Sequence, residues 1–134
     1  MHLIIDGYSS NKQILQDDVF LRQMLDSIPT LIGMTKISEP FVFRYVGDEP
    51  QEWGVSGFVF IAESHISFHT FVERSYINID VFSCRDFDTK QAIKHFKEKL
   101  HLIKYKSYLV NRDWNASDIT ESNKVTLLRS SWKI

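Results

Sequence analysis

GVSGFVFIAESHISFHTFVERSYINIDVFSC, residues 54–84, is the stretch on which the fold turns. β-Branched and aromatic residues dominate it, which predicts strands at about 55–62, 65–72 and 76–83. The same segment holds the triplet Glu63-Ser64-His65, a second serine at Ser56, a second histidine at His69 and the chain's single cysteine, Cys84. Nucleophiles, a base and a thiol gathered on one small sheet point to a reaction centre. In a regular strand residues two apart share a face, so Ser56, Phe58, Phe60, Ala62 and Ser64 would line up. In the next strand His65, Ser67, His69 and Phe71 lie opposite Ile66, Phe68 and Thr70. Cys84 shares parity with Asp80 and Phe82. Ser64 falls at a strand junction, open to local strain, and Glu63 supplies the carbonyl before it.

Outward from this segment the elements alternate without an internal repeat. Residues 3–8 read as a first strand. Ser10-Asn-Lys-Gln13 has the pattern of a capping box and predicts a helix from there to about Ile28. Leu15, Val19, Leu21, Met24, Leu25 and Ile28 would form its apolar stripe, with Pro29 after its end. No element is assigned to 30–40. Residues 41–45 read as a strand and Gly47-Asp-Glu-Pro50 as a loop. Asp88 is expected to cap a second helix whose Ala92, Ile93, Phe96 and Leu100 face a core, and 103–110 to form a last strand. The polar tail from Asn111 is expected to be ordered only in part, with Trp114 and Trp132 as anchors. Four strands between two helices, in the order β-α-β-β-β-β-α-β, predict an α+β fold. That fold is a two-layer sandwich, a mostly antiparallel sheet with two helices packed on one face. A doubly wound nucleotide fold needs regular βα alternation and a glycine-rich turn, and the sequence offers neither.

With 134 residues the chain is expected to form a single domain, 1–134. Its 43% hydrophobic and 25% charged residues are those of an ordinary globular protein. A net charge of -1 argues against nucleic acid or an anionic membrane as the main partner. No apolar run approaches the roughly 20 residues of a membrane span, and MHLIIDGY lacks the basic start of a signal peptide. One cysteine forms no internal disulfide, and no metal-ligand spacing is present. A cytoplasmic, metal-free protein is expected.

At these residues the sequence resembles the prokaryotic pyruvoyl-dependent S-adenosylmethionine decarboxylase family. Gly54-Val-Ser-Gly57 and Glu63-Ser-His65 stand at the family's spacing, and His69-Thr70, Glu73 and Cys84 follow at its offsets. The match is sharp over 53–84 and looser to about 110. The resemblance implies a self-processing decarboxylase that makes the aminopropyl donor for spermidine and other polyamines. Ser64 would attack the carbonyl of Glu63, and elimination would cut the chain into 1–63 and 64–134. The covalent pyruvoyl cofactor left at Ser64 would form a Schiff base with the substrate amine and act as its electron sink. Ser56 and His69 match a processing pair, with His69 assisting removal of the α-proton. Cys84 matches a proton donor to the substrate carbon. Glu73 matches a substrate-binding carboxylate suited to ribose hydroxyls, and Phe71 is a candidate to stack on adenine. The family's eukaryotic relatives look like two such units fused, which implies a homodimer. Ser64 and Cys84 would then come from one protomer and Ser56, His69 and Glu73 from the other.

Each residue has a plainer reading alone. A strand serine is usually a tolerated polar residue, His65 a hydrogen-bonded structural histidine outside the catalytic set, and Cys84 a small buried hydrophobe. Glu73-Arg74 would ordinarily be a solvated turn, and most of the ten Phe and five Tyr are core. The sequence also departs from the family pattern. Phe71-Val-Glu73 replaces Trp-Pro-Glu, Arg85 follows the cysteine where a small residue is common, and no His-x-Phe precedes Gly54. Proteins of related fold act on arginine or ornithine, so a same-fold pyruvoyl decarboxylase for those substrates is an alternative. A non-processing regulatory homologue and a ferredoxin-like ligand or subunit-interaction domain are two others.

Overall fold

Alternation along each strand sorts the side chains into two faces. Leu3 and Ile5, Val55 and Val59, Ile66 and Phe68, and Ile77, Ile79 and Val81 all point one way and are buried. The computed structural model describes residues 1–112. Its elements are β1 (His2–Ser9), α1 (Asp18–Leu31), β2 (Phe41–Val46), β3 (Trp53–Ile61), β4 (Ser64–Phe71), β5 (Tyr76–Ser83), α2 (Thr89–Lys99) and β6 (Leu102–Val110). A single 3-10 turn, Val72–Arg74, links β4 to β5. The strands form one sheet in the order β2-β3-β4-β5-β1-β6, and every ladder is antiparallel. Leu21, Met24, Leu25 and Ile28 of α1 and Ala92 and Phe96 of α2 complete the core against the same face. Burial of each large side chain there stabilises the fold by roughly 1.5–3 kcal/mol. The expected two-layer α+β sandwich is the observed one.

Among the described residues the other face carries no helix. Phe41, Phe43 and Tyr45 on β2, Phe60 on β3 and Phe71 on β4 are exposed there. Phe41 stacks on Phe58, and His65 meets the ring of Phe82 edge-on. Beyond them, across β5 and β1, run polar contacts, His2 to Asp80 and Asn78 to Asp6. This face is a mixed aromatic and polar surface, unlike the opposite one.

Four local expectations are corrected. Ser10-Asn-Lys-Gln13 does not cap a helix: Asn11 Oδ1 accepts from the Gln13 amide, Ser9 Oγ accepts from the Asn11 amide, and the segment makes turns. Helix α1 starts later because Asp17 is its cap, accepting from the Phe20 amide at 2.9 Å. Leu15 is buried from that turn, whereas Val19, counted in the stripe, is exposed. Pro29 lies inside α1 rather than after it. Its carbonyl accepts from Met34 while the Thr30 carbonyl accepts from Gly33, and Gly33 has φ 76, so the helix ends in a Schellman motif. The unassigned stretch after it runs alongside the end of β3, with Lys36 opposite Ile61 and the Ile37 amide on the Phe60 carbonyl. Finally, β3 stops at Ile61, so Ser64 does not continue the face of Ser56. The expectations for the tail, with Trp114 and Trp132, fall outside the described residues.

Candidate active site

The β3–β4 hairpin closes on two residues, Ala62 and Glu63, with Ile61 and Ser64 as its last pair. Neither turn residue has a positive φ, and the unusual angle falls on the residue just after them, Ser64, at φ 155. For a residue with a side chain such a conformation costs about 1–3 kcal/mol. The neighbouring segments fix the turn from both sides. The Ala62 amide donates to the Thr35 carbonyl at 2.8 Å, and the Thr35 amide donates to the Glu63 carboxylate at 3.1 Å. The same carboxylate, 7% exposed, pairs with the Arg85 guanidinium.

Because β4 and β5 pair Ser64 with Ser83, the residue after Ser83 is delivered beside Glu63. That residue is Cys84, in the bend after β5, and its amide donates to the Glu63 carbonyl at 2.9 Å. Its thiol is free and exposed. Ser64 Oγ shares a 3.2 Å hydrogen bond with Nδ1 of His65. A hydroxyl, the carbonyl that precedes it and a donor on that carbonyl are thus together at the turn.

The open end of the hairpin is built differently. Ser56 lies opposite His69, and Oγ and Nδ1 are 2.8 Å apart. The glycines of the Gly54-Val-Ser-Gly57 motif have a packing reason: a Cβ on Gly54 would sit 1.8 Å from the Thr70 carbonyl oxygen, and one on Gly57 2.7 Å from the Phe68 ring. Thr70 adds a 2.8 Å hydrogen bond from the Val55 amide to its hydroxyl. A cleft of about 660 Å³ opens here, walled by Phe43, Tyr45, Trp53 and Phe71 with Ser56 and His69 on its floor. Glu73, on the 3-10 turn, accepts from Lys12 Nζ at 2.5 Å and from Trp53 Nε1 at 3.0 Å. Those two donors, Lys12 above all, hold its carboxyl below the usual carboxylate range.

Within one chain the candidate residues therefore fall into two sets. Glu63, Ser64 and Cys84 are together at the turn; Ser56, His69 and Phe71 line the cleft, with Glu73 joined to its wall through Trp53. Five ladder positions separate Ser64 from His69, about 17 Å of strand. Two further groups, Trp53 and Lys12, escaped the sequence reading, and a third, His65, was read there as structural only. His65 touches Ser64, and Trp53 and Lys12 hold Glu73 from distant parts of the chain, so no spacing reports them. Arg85 was visible only as an unusual neighbour of the cysteine. Among the described residues no cluster of three His, Cys, Asp or Glu could hold a metal ion, and no helix is long and apolar enough to cross a membrane.

Comparison with known proteins bears on most of the chain. A family model described as S-adenosylmethionine decarboxylase matches residues 1–113. An S-adenosylmethionine decarboxylase proenzyme of Archaeoglobus fulgidus is 30% identical over 112 residues, covering 83% of this chain and 95% of that protein. The proenzyme of the same name from Clostridium botulinum strain Loch Maree is 35% identical over 100 residues, 74% of this chain and 81% of the relative. The crystal structure of the adenosylmethionine decarboxylase of Aquifex aeolicus superposes with a TM-score of 0.66 at 25% identity, covering 85% of this chain and 94% of that one.

Proposed function

Because the chain belongs to the S-adenosylmethionine decarboxylase family, we propose that it makes its own catalytic group by self-cleavage between Glu63 and Ser64 and works as a homodimer. It is a carboxy-lyase, and its reaction is the decarboxylation of S-adenosylmethionine. The decarboxylated product would serve as an aminopropyl donor for polyamines such as spermidine. One observation carries the self-cleavage reading: the Cys84 amide is on the Glu63 carbonyl beside a serine at φ 155.

In the first step Ser64 Oγ bonds to the Glu63 carbonyl carbon, the peptide C–N bond breaks, and the hydroxyl proton passes to the new amine. The Cys84 N–H is aimed at the oxygen on which negative charge develops, as an oxyanion donor must be. Loss of the peptide nitrogen also releases the backbone strain at Ser64. In the second step a base takes the Ser64 α-proton, the Cβ–O bond breaks, and Glu63 leaves as a carboxylate. His69, held by Ser56, is the base in this reading. Hydrolysis of the resulting dehydroalanine releases ammonia and leaves a pyruvoyl end on chain 64–134.

The residues at the turn fit such a group: Ser64 is half-buried, with His65 beside it and a thiol on the next segment. A pyruvoyl ketone there supplies the electron sink for the carbanion formed on loss of CO2. Cys84 would return a proton to the substrate carbon, and Glu73, its carboxyl held low by its two donors, would accept hydrogen bonds from ribose hydroxyls. Phe71 offers a ring face at the cleft wall for adenine.

His69 is too far along its own strand to reach its own Ser64. Two sheets packed through the faces that expose Phe41, Phe43 and Phe60, about a two-fold axis, would bring the turn of one protomer to the cleft of the other, twice. The exposed Phe41, Phe43, Tyr45 and Phe60 give that face the apolar area such packing requires. The test is a denaturing mass measurement on freshly purified protein together with CO2 release from carboxyl-labelled S-adenosylmethionine. Two chains, 1–63 and a blocked 64–134, are expected with activity. An uncut protein of normal activity overturns the reading.

A further inference from the structure

Glu63 occupies the second position of a two-residue turn, where a side chain ordinarily points to water, yet it is 7% exposed. Burial of a carboxylate is costly unless it is paired and hydrogen-bonded. Here Arg85 provides the pairing and the Thr35 amide the hydrogen bond. Arg85 is itself tied down. Its amide donates to Ser83 Oγ at 3.1 Å, the same hydroxyl donates to the Arg85 carbonyl at 2.7 Å, and Nη2 reaches the Gly33 carbonyl at 3.4 Å. Three segments that are remote in sequence, the end of α1, the hairpin turn and the bend after β5, thus converge on one side chain. That side chain belongs to the residue whose carbonyl is attacked, and nothing in the decarboxylation step uses it.

We infer that Arg85 is a positioning residue for self-cleavage, clamping the Glu63 carboxylate so that the Glu63 carbonyl stays on the Cys84 amide and Ser64 stays in its strained conformation. The inference rests on the self-cleavage reading and deepens it. Arg85 neighbours Cys84 in the chain, so its grip on Glu63 also sets the distance between the oxyanion donor and the carbonyl it serves. Without Arg85 the Glu63 side chain is a buried charge lacking its partner, and the turn is free to move into solvent.

The experiment follows conversion of newly synthesised full-length chain into 1–63 and 64–134 on denaturing gels. Arg85→Ala should slow cleavage roughly tenfold or more, the scale of a lost charge-assisted hydrogen bond. Guanidinium at millimolar concentration should restore much of the rate, and sodium chloride at the same concentration should not. Arg85→Lys should fall between the two. Glu63→Gln should slow cleavage as well, and Arg85→Ala added to it should slow it no further, because the two changes remove one interaction. Wild-type cleavage rates in Arg85→Ala, or slowing that multiplies in the double variant, would overturn the positioning role. Should Arg85→Ala not fold, normal rates in both Arg85→Lys and Glu63→Gln would overturn it equally. A wild-type chain that never cleaves fells the self-cleavage reading itself, and the two failures are therefore distinguishable.

Discussion

The two ends of the β3–β4 hairpin share a ladder but hold their polar groups by different means. At the turn the main chain sets the geometry: a two-residue connection, a serine at φ 155 and an amide on a carbonyl. At the open end side chains set it, with Ser56 on His69, Trp53 and Lys12 on Glu73, and aromatic walls around a cleft. The first arrangement suits making and breaking a backbone bond, which tolerates little freedom. The second suits holding a ligand with an aromatic base and hydroxyls. Each end lacks what the other has, and the length of the strand keeps them apart within one chain.

The strongest way to break this comparison is Ser64→Ala, which should leave a single chain on a denaturing gel and abolish CO2 release. Any cleavage between 63 and 64 in that variant would mean the turn does not supply the nucleophile. Next in size is complementation between Cys84→Ala and Glu73→Gln protomers, each processed but inactive alone. After subunit exchange about a quarter of wild-type sites should return if a site takes its turn from one copy and its cleft from the other. No recovery despite demonstrated exchange would put both ends of a site in one chain.

Cys84→Ala alone sharpens the roles at the turn. The amide donor survives the substitution, so cleavage should continue at least in part, while decarboxylation should fall by about 100-fold or more. Full activity would exclude the thiol as proton donor. His69→Ala should stall at the ester, and hydroxylamine, which attacks esters, should then release the fragments from the folded variant. The smallest effect is expected from Lys12→Gln. Glu73 has its folded pKa lowered, so its contribution is present above the unfolded value and lost as pH falls through the folded one. Removal of Lys12 should raise the Glu73 pKa toward the ordinary carboxylate value, measurable by carboxyl NMR, and an unchanged titration would show that Lys12 does not hold it.

Much of this was legible in the sequence because it depends on period and order. β5 could be read from 76–83 and α2 from Asp88, since a strand bounded by turns and a capped amphipathic helix are local signals. The start of α1 was not, because Ser10-Asn-Lys-Gln13 fits a capping box and an Asx-type turn equally, and tertiary contacts of Ser9 and Ser10 with the end of α2 decide between them. Pro29 misled because proline weakens a helix without always ending it. The missing N–H costs one bond, and its buried ring and the Schellman closure beyond it keep the chain helical to Leu31. In the site, the pairing of Ser56 with His69 was legible through the family resemblance, since strand parity alone does not show that two side chains meet. The contacts of Arg85, Trp53 and Lys12 were not, since their partners lie across the fold.

The strand order β2-β3-β4-β5-β1-β6 gives the proposed cut a further meaning. Severed after Glu63, one piece would own β1, β2 and β3 and the other β4, β5 and β6, yet β1 lies between β5 and β6. Three of the five ladders would then join the pieces, which are interlaced like the fingers of two hands. Each piece keeps only one two-stranded ladder of its own, β2–β3 or β4–β5, too little to stand alone, so the protein must finish folding before it cuts itself. Once cut and then denatured, the halves face a search for each other at a rate set by their concentration, where the intact chain had only to find itself. Maturation of this kind would turn reversible folding into a one-way door.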